Sequence, residues 1–291
     1  MNALQWAMDP WGNIVPIHIA WFLIWVAVIA GFVFFIVHAT YVRYFAKPKQ
    51  FAAEVPPPIA SEIPARVPRH SLVARLYHWT AGAAMFTLLF TAFLPRVGFQ
   101  FTWVTWHWIA GAVLTVLVIF HIFHASFWRD FWSIWPDRID ITDADHRIRR
   151  FLGRPAPLPR KSAKYPLDVK LSHGAFMVAG LTMIVTGFFM MFRVRTIFFS
   201  RNPYLFSDMT WGMIYVLHGL AGVGLITLVM LHIYFTLIRP ENRPVLKAMI
   251  FGWMSRDSYL EEHDPKRWVV EAKISSQESR EQKGLGAGNE E

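Results

Sequence analysis

Five long apolar runs dominate the pattern of hydrophobic and polar positions along the 291-residue chain. The four longest contain no Asp, Glu, Lys or Arg; they are 76–94, 104–125, 171–192 and 212–238, and a further run precedes them at 17–38. Uncharged apolar runs of about 18 or more residues are typical of helices that cross a bilayer. The pattern therefore predicts an all-α membrane protein with five spans, and it excludes a soluble enzyme.

The composition narrows the chemistry that such a protein can carry. Charged residues make up only 17% of the chain, against about 25% in soluble domains. The chain contains no cysteine, which excludes iron–sulfur clusters, covalently attached haem and disulfides. Any redox metal must be held by other side chains, and the 12 histidines are the first candidates.

The basic residues predict the orientation of the chain in the bilayer. Of 29 Lys and Arg residues, four lie in 1–16, 95–103 and 193–211, whereas the others lie in 39–75, 126–170 and 239–291. Lys and Arg accumulate in cytoplasmic loops, so we expect the N-terminus outside and the C-terminus inside. This distribution accounts for the net charge of +9, and no nucleic-acid partner is predicted.

The same pattern divides the chain into segments with different expected roles. These are a periplasmic N-terminus (1–16), an additional transmembrane helix (17–38), a cytoplasmic linker (39–71), a four-helix transmembrane bundle (72–252) and a cytoplasmic tail (253–291). The linker contains three consecutive prolines, and the end of the tail has the polar composition of a disordered segment.

Histidines are the only side chains in the four longest runs that titrate near neutral pH. They are His78, His107, His121, His124, His173, His218 and His232. Ionisable groups at membrane depth are costly and are usually functional. His121 follows His107 by 14 residues, and His232 follows His218 by 14; this interval is about four helical turns, or ~21 Å. Each pair thus shares a helix face, with one histidine near each membrane surface, as two stacked haems require.

Three of these histidines are followed by glycine four positions later. The pairs are His78–Gly82, His107–Gly111 and His218–Gly222. A glycine one turn from a ligand leaves a bare surface for a porphyrin ring. Close packing of membrane helices also favours small residues, but the threefold coincidence with histidine favours haem binding.

The predicted topology sorts the histidines into two layers. His107 and His218 lie near the start of spans that begin outside, so they form the natural pair for an outer haem. The inner layer has an excess of candidates, because His232 can pair with His78, His121 or His173. His124 lies ~100° from the face of His107 and is the weakest candidate.

Several local motifs resemble a known family. They are Arg75-Leu-Tyr-His78-Trp79, Lys164-Tyr165 with Lys170, His218-Gly-Leu-Ala-Gly222, Leu231-His232-Ile-Tyr234 and His263-Asp-Pro-Lys-Arg-Trp268. Over roughly residues 72–270 the chain resembles the gamma, or cytochrome b, subunit of respiratory formate dehydrogenases, within the four-helix dihaem cytochromes b. The resemblance implies two b-type haems with bis-histidine ligation by His78, His107, His218 and His232. It favours His78 with His232 inside, and His121 remains the alternative partner of His232.

The resemblance also implies a function in the bacterial cytoplasmic membrane. Electrons would pass from a periplasmic iron–sulfur subunit and its catalytic dehydrogenase subunit to menaquinone or ubiquinone. The family's quinone site uses an Asn and a Gln, where this chain has Pro166 and Val169. We therefore expect a rebuilt quinone or proton site that involves Asp168, Lys170 or His173.

Two other functions and one further cofactor remain open. The histidines of a non-redox anchor or transporter could line a proton or metal path, although the four longest runs lack the acidic residues that such paths often carry. A stand-alone transmembrane b-type reductase would need no partner subunit. The extra histidine on the haem-bearing face, His121, leaves a third haem open.

Overall fold

The computed structural model describes residues 2–46, 50–52, 60, 62–128 and 131–270. The helices are α1 (Phe22–Tyr44), α2 (Leu72–Phe93), α3 (Trp103–Trp128), α4 (Arg138–Phe151), α5 (Leu167–Met190), α6 (Asp208–Ile233), α7 (Arg243–Phe251) and α8 (Arg256–Glu262). The strands are β1 (Leu4–Met8), β2 (Ile14–Ile19), β3 (Arg66–Pro68) and β4 (Trp253–Ser255). Within the described residues, α1, α2, α3, α5 and α6 are long and apolar enough to cross a membrane, which confirms the predicted helical membrane bundle.

Two helical hairpins form the bundle. Helix α2 packs closely along α3, and α5 packs closely along α6, whereas the two hairpins approach each other mainly through α3 and α5. Ser71 and Ser207 begin α2 and α6, and each side chain accepts a hydrogen bond from the backbone N–H three residues later. Such caps satisfy backbone donors at the membrane boundary, where the helices leave water.

The N-terminal segment forms a β-hairpin that the sequence analysis did not foresee. Strands β1 and β2 pair antiparallel, and β2 lies along α6. A Cβ atom added at Gly212 would lie 1.8 Å from the carbonyl oxygen of Pro16, and one at Gly219 would lie 2.9 Å from Ile19. The strand can approach α6 this closely only because both positions are glycine. The apolar run 17–38 is therefore shared between β2 and α1.

The inner side, which we define as the side predicted to face the cytoplasm, carries a folded cap. Strand β3 pairs with β4, and the cap buries Val67, Ala248, Met254 and Tyr259 almost completely. The first part of the predicted cytoplasmic tail is thus ordered, since it shares this small core with the linker before α2. The proline run at 56–58 and the tail from residue 271 onward, where we expected disorder, lie outside the described residues.

A buried histidine joins three segments of this cap. The Nδ1–H of His263 donates to the carbonyl oxygen of Ala163 at 2.8 Å, and its Nε2 accepts from Nη1 of Arg69 at 2.9 Å. Only neutral imidazole can make both bonds. Burial and then the adjacent Arg69 charge lower the pKa of His263 to about 4.

This pKa predicts that the cap loosens in mild acid. The pKa lies below the ordinary value of 6.5, so the folded cap binds fewer protons than the unfolded chain does. The stability contributed by neutral His263 is complete above pH 6.5 and is lost as the pH falls toward about 4. Hydrogen exchange over residues 253–268, corrected for intrinsic rates, should be faster at about pH 5 than at about pH 7.

The variant His263→Gln supplies the control, because it removes the titrating group. We expect less protection at neutral pH and little further change on acidification. An equal pH dependence in the variant and the parent protein would contradict the assignment.

Candidate haem sites

The structure brings two of the predicted histidine pairs together. In the outer layer, the ring centroids of His107 on α3 and His218 on α6 are 6.3 Å apart. In the inner layer, the ring centroids of His78 on α2 and His232 on α6 are 6.1 Å apart. Helix α6 therefore contributes one histidine to each layer.

Both separations fit two imidazoles that share one metal ion. A histidine nitrogen lies about 2 Å from a transition metal that it binds. Two rings on opposite sides of one ion then have centroids about 6 Å apart, because each ring centre lies roughly 1 Å beyond its nitrogen. Neutral imidazole on both sides is a suitable axial set for haem iron.

Two threonines hold the outer histidines in the tautomer that a metal needs. Oγ1 of Thr91 lies 2.8 Å from Nδ1 of His107, and Oγ1 of Thr186 lies 2.8 Å from Nδ1 of His218. Each hydroxyl donates its own proton to the carbonyl four residues earlier, at 2.7 Å from Thr87 and 2.6 Å from Thr182. The hydroxyl oxygen must then accept from Nδ1–H, which leaves the Nε2 lone pair free to bind iron.

The sequence analysis missed these threonines. Both are buried, with 3% and 5% of Thr91 and Thr186 exposed. Threonine in a membrane helix usually bonds to its own backbone, so neither residue alone indicates a site. The signal lies in the repeated Thr-x-x-x-Thr pattern at 87–91 and 182–186.

The glycines near the ligands divide into two kinds. A Cβ atom added at Gly82 would meet none of the described atoms within 4 Å, so this face of α2 leaves room beside His78. At Gly111 and Gly222, an added Cβ atom would contact Leu88 and Met183 at 3.9 and 4.0 Å. Those two glycines also serve the packing of α3 on α2 and of α6 on α5.

The inner site contains a buried polar atom without a partner among the described residues. Nδ1 of His78 is inaccessible to solvent and makes no hydrogen bond to the described part of the chain. A buried orphan of this kind is unfavourable in a finished site. Together with the open face at Gly82, it fits an inner site that holds a bound group.

The residues predicted for a quinone or proton site have different surroundings. Asp168 is exposed in the first turn of α5, whereas Lys170 is buried with Nζ 2.6 Å from Oδ2 of Asp140. Burial opposes ionisation of Asp140, but hydrogen bonds from Lys170 and Arg267 hold the pKa of its carboxyl below the ordinary value. The ring centroid of His173 lies 6.3 Å from that of His121. Lys170 is thus committed to a structural ion pair, and Asp168 is the accessible group.

The comparison with known proteins agrees with this site. The sequence profile of the prokaryotic cytochrome b561 family matches residues 69–252, which is more than half of the chain. The chain belongs to this family, whose members are membrane b-type cytochromes that bind haem through histidines and transfer electrons. No match is found among curated proteins. The matched region includes α2–α7 but not the β1–β2 hairpin or α1.

The threonine contacts predict the behaviour of the outer haem. Thr91→Val or Thr186→Val removes the acceptor for one ligand's Nδ1–H, and such outer partners are typically worth 10–100-fold in metal affinity. We therefore expect each variant to bind the outer haem about 10-fold more weakly or worse. The measurement is haem retention during titration with a haem-scavenging apoprotein.

Thr115→Val is the matched control. Its hydroxyl donates to the carbonyl of Gly111 at 2.8 Å, and the substitution removes the same atoms from α3. Retention that falls equally in all three variants would point to helix packing rather than to the ligand tautomer.

Proposed function

We propose that this protein is the membrane-anchoring dihaem cytochrome b subunit of a respiratory oxidoreductase complex in the bacterial cytoplasmic membrane. It carries electrons between a periplasmic iron–sulfur and dehydrogenase partner, of the formate dehydrogenase kind, and the quinone pool. The observation that supports this function is the pair of two-histidine sites, at 6.3 and 6.1 Å, in two layers along one helix.

The two layers connect the two sides of the membrane. His218 and His232 are 14 residues apart on α6, and this separates their layers by ~21 Å, most of a hydrocarbon core of about 30 Å. Bound haem b supplies a one-electron redox couple at each layer. The protein provides two imidazoles per layer and fixes the outer pair with Thr91 and Thr186.

The donor must be another subunit if it contains iron–sulfur clusters, because this chain has no cysteine. The β1–β2 hairpin lies on the predicted outer side and exposes large apolar side chains. Trp6, Met8 and Trp11 are 50%, 68% and 84% exposed. Exposed apolar patches of this kind are typical of surfaces that a partner or a membrane covers.

The quinone site belongs at the inner end of α5 in this proposal. Asp168 is accessible there, and His173 follows it by five residues on the same helix. Lys170 acts as a positioning residue, since its ion pair with Asp140 ties α5 to α4. The exposed carboxylate of Asp168 can deliver protons to a reduced menaquinone or ubiquinone.

Haem analysis of the purified full chain tests the proposal. A pyridine haemochrome assay should give at least two haems b per chain. His107→Leu and His218→Leu should each remove one haem, and the double variant should also lose only one because both residues ligate the same iron. His78→Leu and His232→Leu should behave likewise for the inner haem.

His124→Leu is the control, because His124 stacks on Phe120 and Trp128 and lies off the ligand face. Fewer than about one haem per chain would refute the cytochrome function. A His78→Leu variant that retains all of its haem would instead refute the inner pair.

Asp168→Asn tests the quinone site without a partner subunit. Reoxidation of the dithionite-reduced protein by a water-soluble quinone should slow by about 10-fold or more, the scale of a lost proton donor, while haem content stays constant. Asp208→Asn is the matched control, since Asp208 is an exposed carboxylate in the first turn of α6 at the opposite side. Unchanged reoxidation in Asp168→Asn would remove this residue from the site.

A further inference from the structure

The two helical hairpins are versions of one pattern. Thr91 follows His78 by 13 residues, and Thr186 follows His173 by 13. The partner helices repeat a second pattern: both contain His-x-x-Ala-Gly followed by another histidine, in 107–121 and again in 218–232. Each hairpin therefore has one histidine near the start of its first helix, one threonine near the end of that helix, and two histidines on its second helix.

Equivalent residues also occupy equivalent places in the structure. His78 and His173 are each the seventh residue of their helix, α2 and α5. Thr91 and Thr186 make the same two hydrogen bonds, to a carbonyl four residues earlier and to a histidine of the partner helix. The α2–α3 and α5–α6 hairpins are thus related by an approximate two-fold repetition, in fold as well as in sequence.

This repetition predicts how the histidines pair. The outer site joins His107 to its own equivalent, His218, so the repetition maps this site onto itself. The inner site joins His78 to His232, and the repetition maps it onto a different pair, His173 with His121. An exact repeat thus generates a second inner site between α3 and α5.

The structure places these two histidines as the repetition requires. The ring centroids of His121 and His173 are 6.3 Å apart, the same distance as in the outer pair and 0.2 Å more than the 6.1 Å of the inner pair. Their planes are inclined by 58°, between the 48° of the inner pair and the 64° of the outer pair. All three pairs therefore have the separation that two imidazoles on one metal ion adopt.

The surroundings of His121 are compatible with ligation. The ring of Tyr77 stacks on that of His121, with centroids 4.4 Å apart and planes inclined by 12°. Stacking occupies the face of an imidazole, whereas a metal binds at a nitrogen on its edge. Four residues after His173, the position equivalent to Gly82 is Met177, which is unbranched and flexible enough to move aside.

We propose that His121 and His173 form a third bis-histidine haem b site, on the inner side and between α3 and α5. This inference rests on the proposed function, since it adds a carrier to the same path. The site would put a second inner electron carrier on α5, the helix that bears Asp168 at its inner end. Electrons could then leave the bundle from two flanks rather than one.

Haem stoichiometry tests the site directly. The full chain, purified in mild detergent after expression with added haem precursor, should contain three haems b. His121→Leu and His173→Leu should each leave two, and the double variant His121→Leu/His173→Leu should also leave two. His121→Leu combined with His78→Leu should leave one. The control His124→Leu should retain three.

A redox titration of the parent protein provides a reading that does not depend on any variant folding. We expect three one-electron components in the visible spectrum. Two haems per chain, with two components and no loss in His121→Leu, would overturn the third site and leave the dihaem function intact. Three haems that survive in His121→Leu would also overturn it, whereas fewer than about one haem would refute the cytochrome function itself.

Discussion

The bundle depends on satisfying imidazole in a medium without water. A histidine buried in a bilayer needs a partner for each ring nitrogen, because lipid offers neither donors nor acceptors. In the outer layer, Thr91 and Thr186 accept from Nδ1 and turn Nε2 of each ligand toward the space between the hairpins. Each hydroxyl can accept because it has already given its proton to its own helix. The α2–α3 and α5–α6 packing therefore also prepares the metal site.

The sequence predicted the spans and the ligand layers because both depend on short, regular spacing. Uncharged runs mark the helices, and the 14-residue intervals on α3 and α6 put His107 above His121 and His218 above His232. Threonines 91 and 186 could not be recognised in the same way, because their role depends on a neighbouring helix. The β1–β2 hairpin escaped for a related reason: Gly212 and Gly219 make its docking surface on α6, about 200 residues further along the chain.

The inner cap shows the same contrast between pattern and long-range contact. Lys170 has the position of a substrate contact in the sequence, but Asp140 from α4 claims its ammonium group at 2.6 Å. Arg267 then bridges Asp137 and Asp140, so three distant segments share one ionic cluster. Removing a single member would strand a buried charge, which costs more than the pair contributes. The cluster therefore fixes where α5 enters the membrane, and with it the height of His173.

Helix α6 is held from two sides. One face presents His218 and His232 to the other helices of the bundle, while β2 and α1 lie against it elsewhere, with Ile19 at Gly219 and Gly31 at Met230. Gly219 is the residue next to His218, so the peptide that carries an outer ligand also bears the N-terminal strand. A force on the hairpin from outside the membrane would reach both haem layers through one rigid rod. The N-terminal segment thus gives this cytochrome a mechanical handle on its own redox centres.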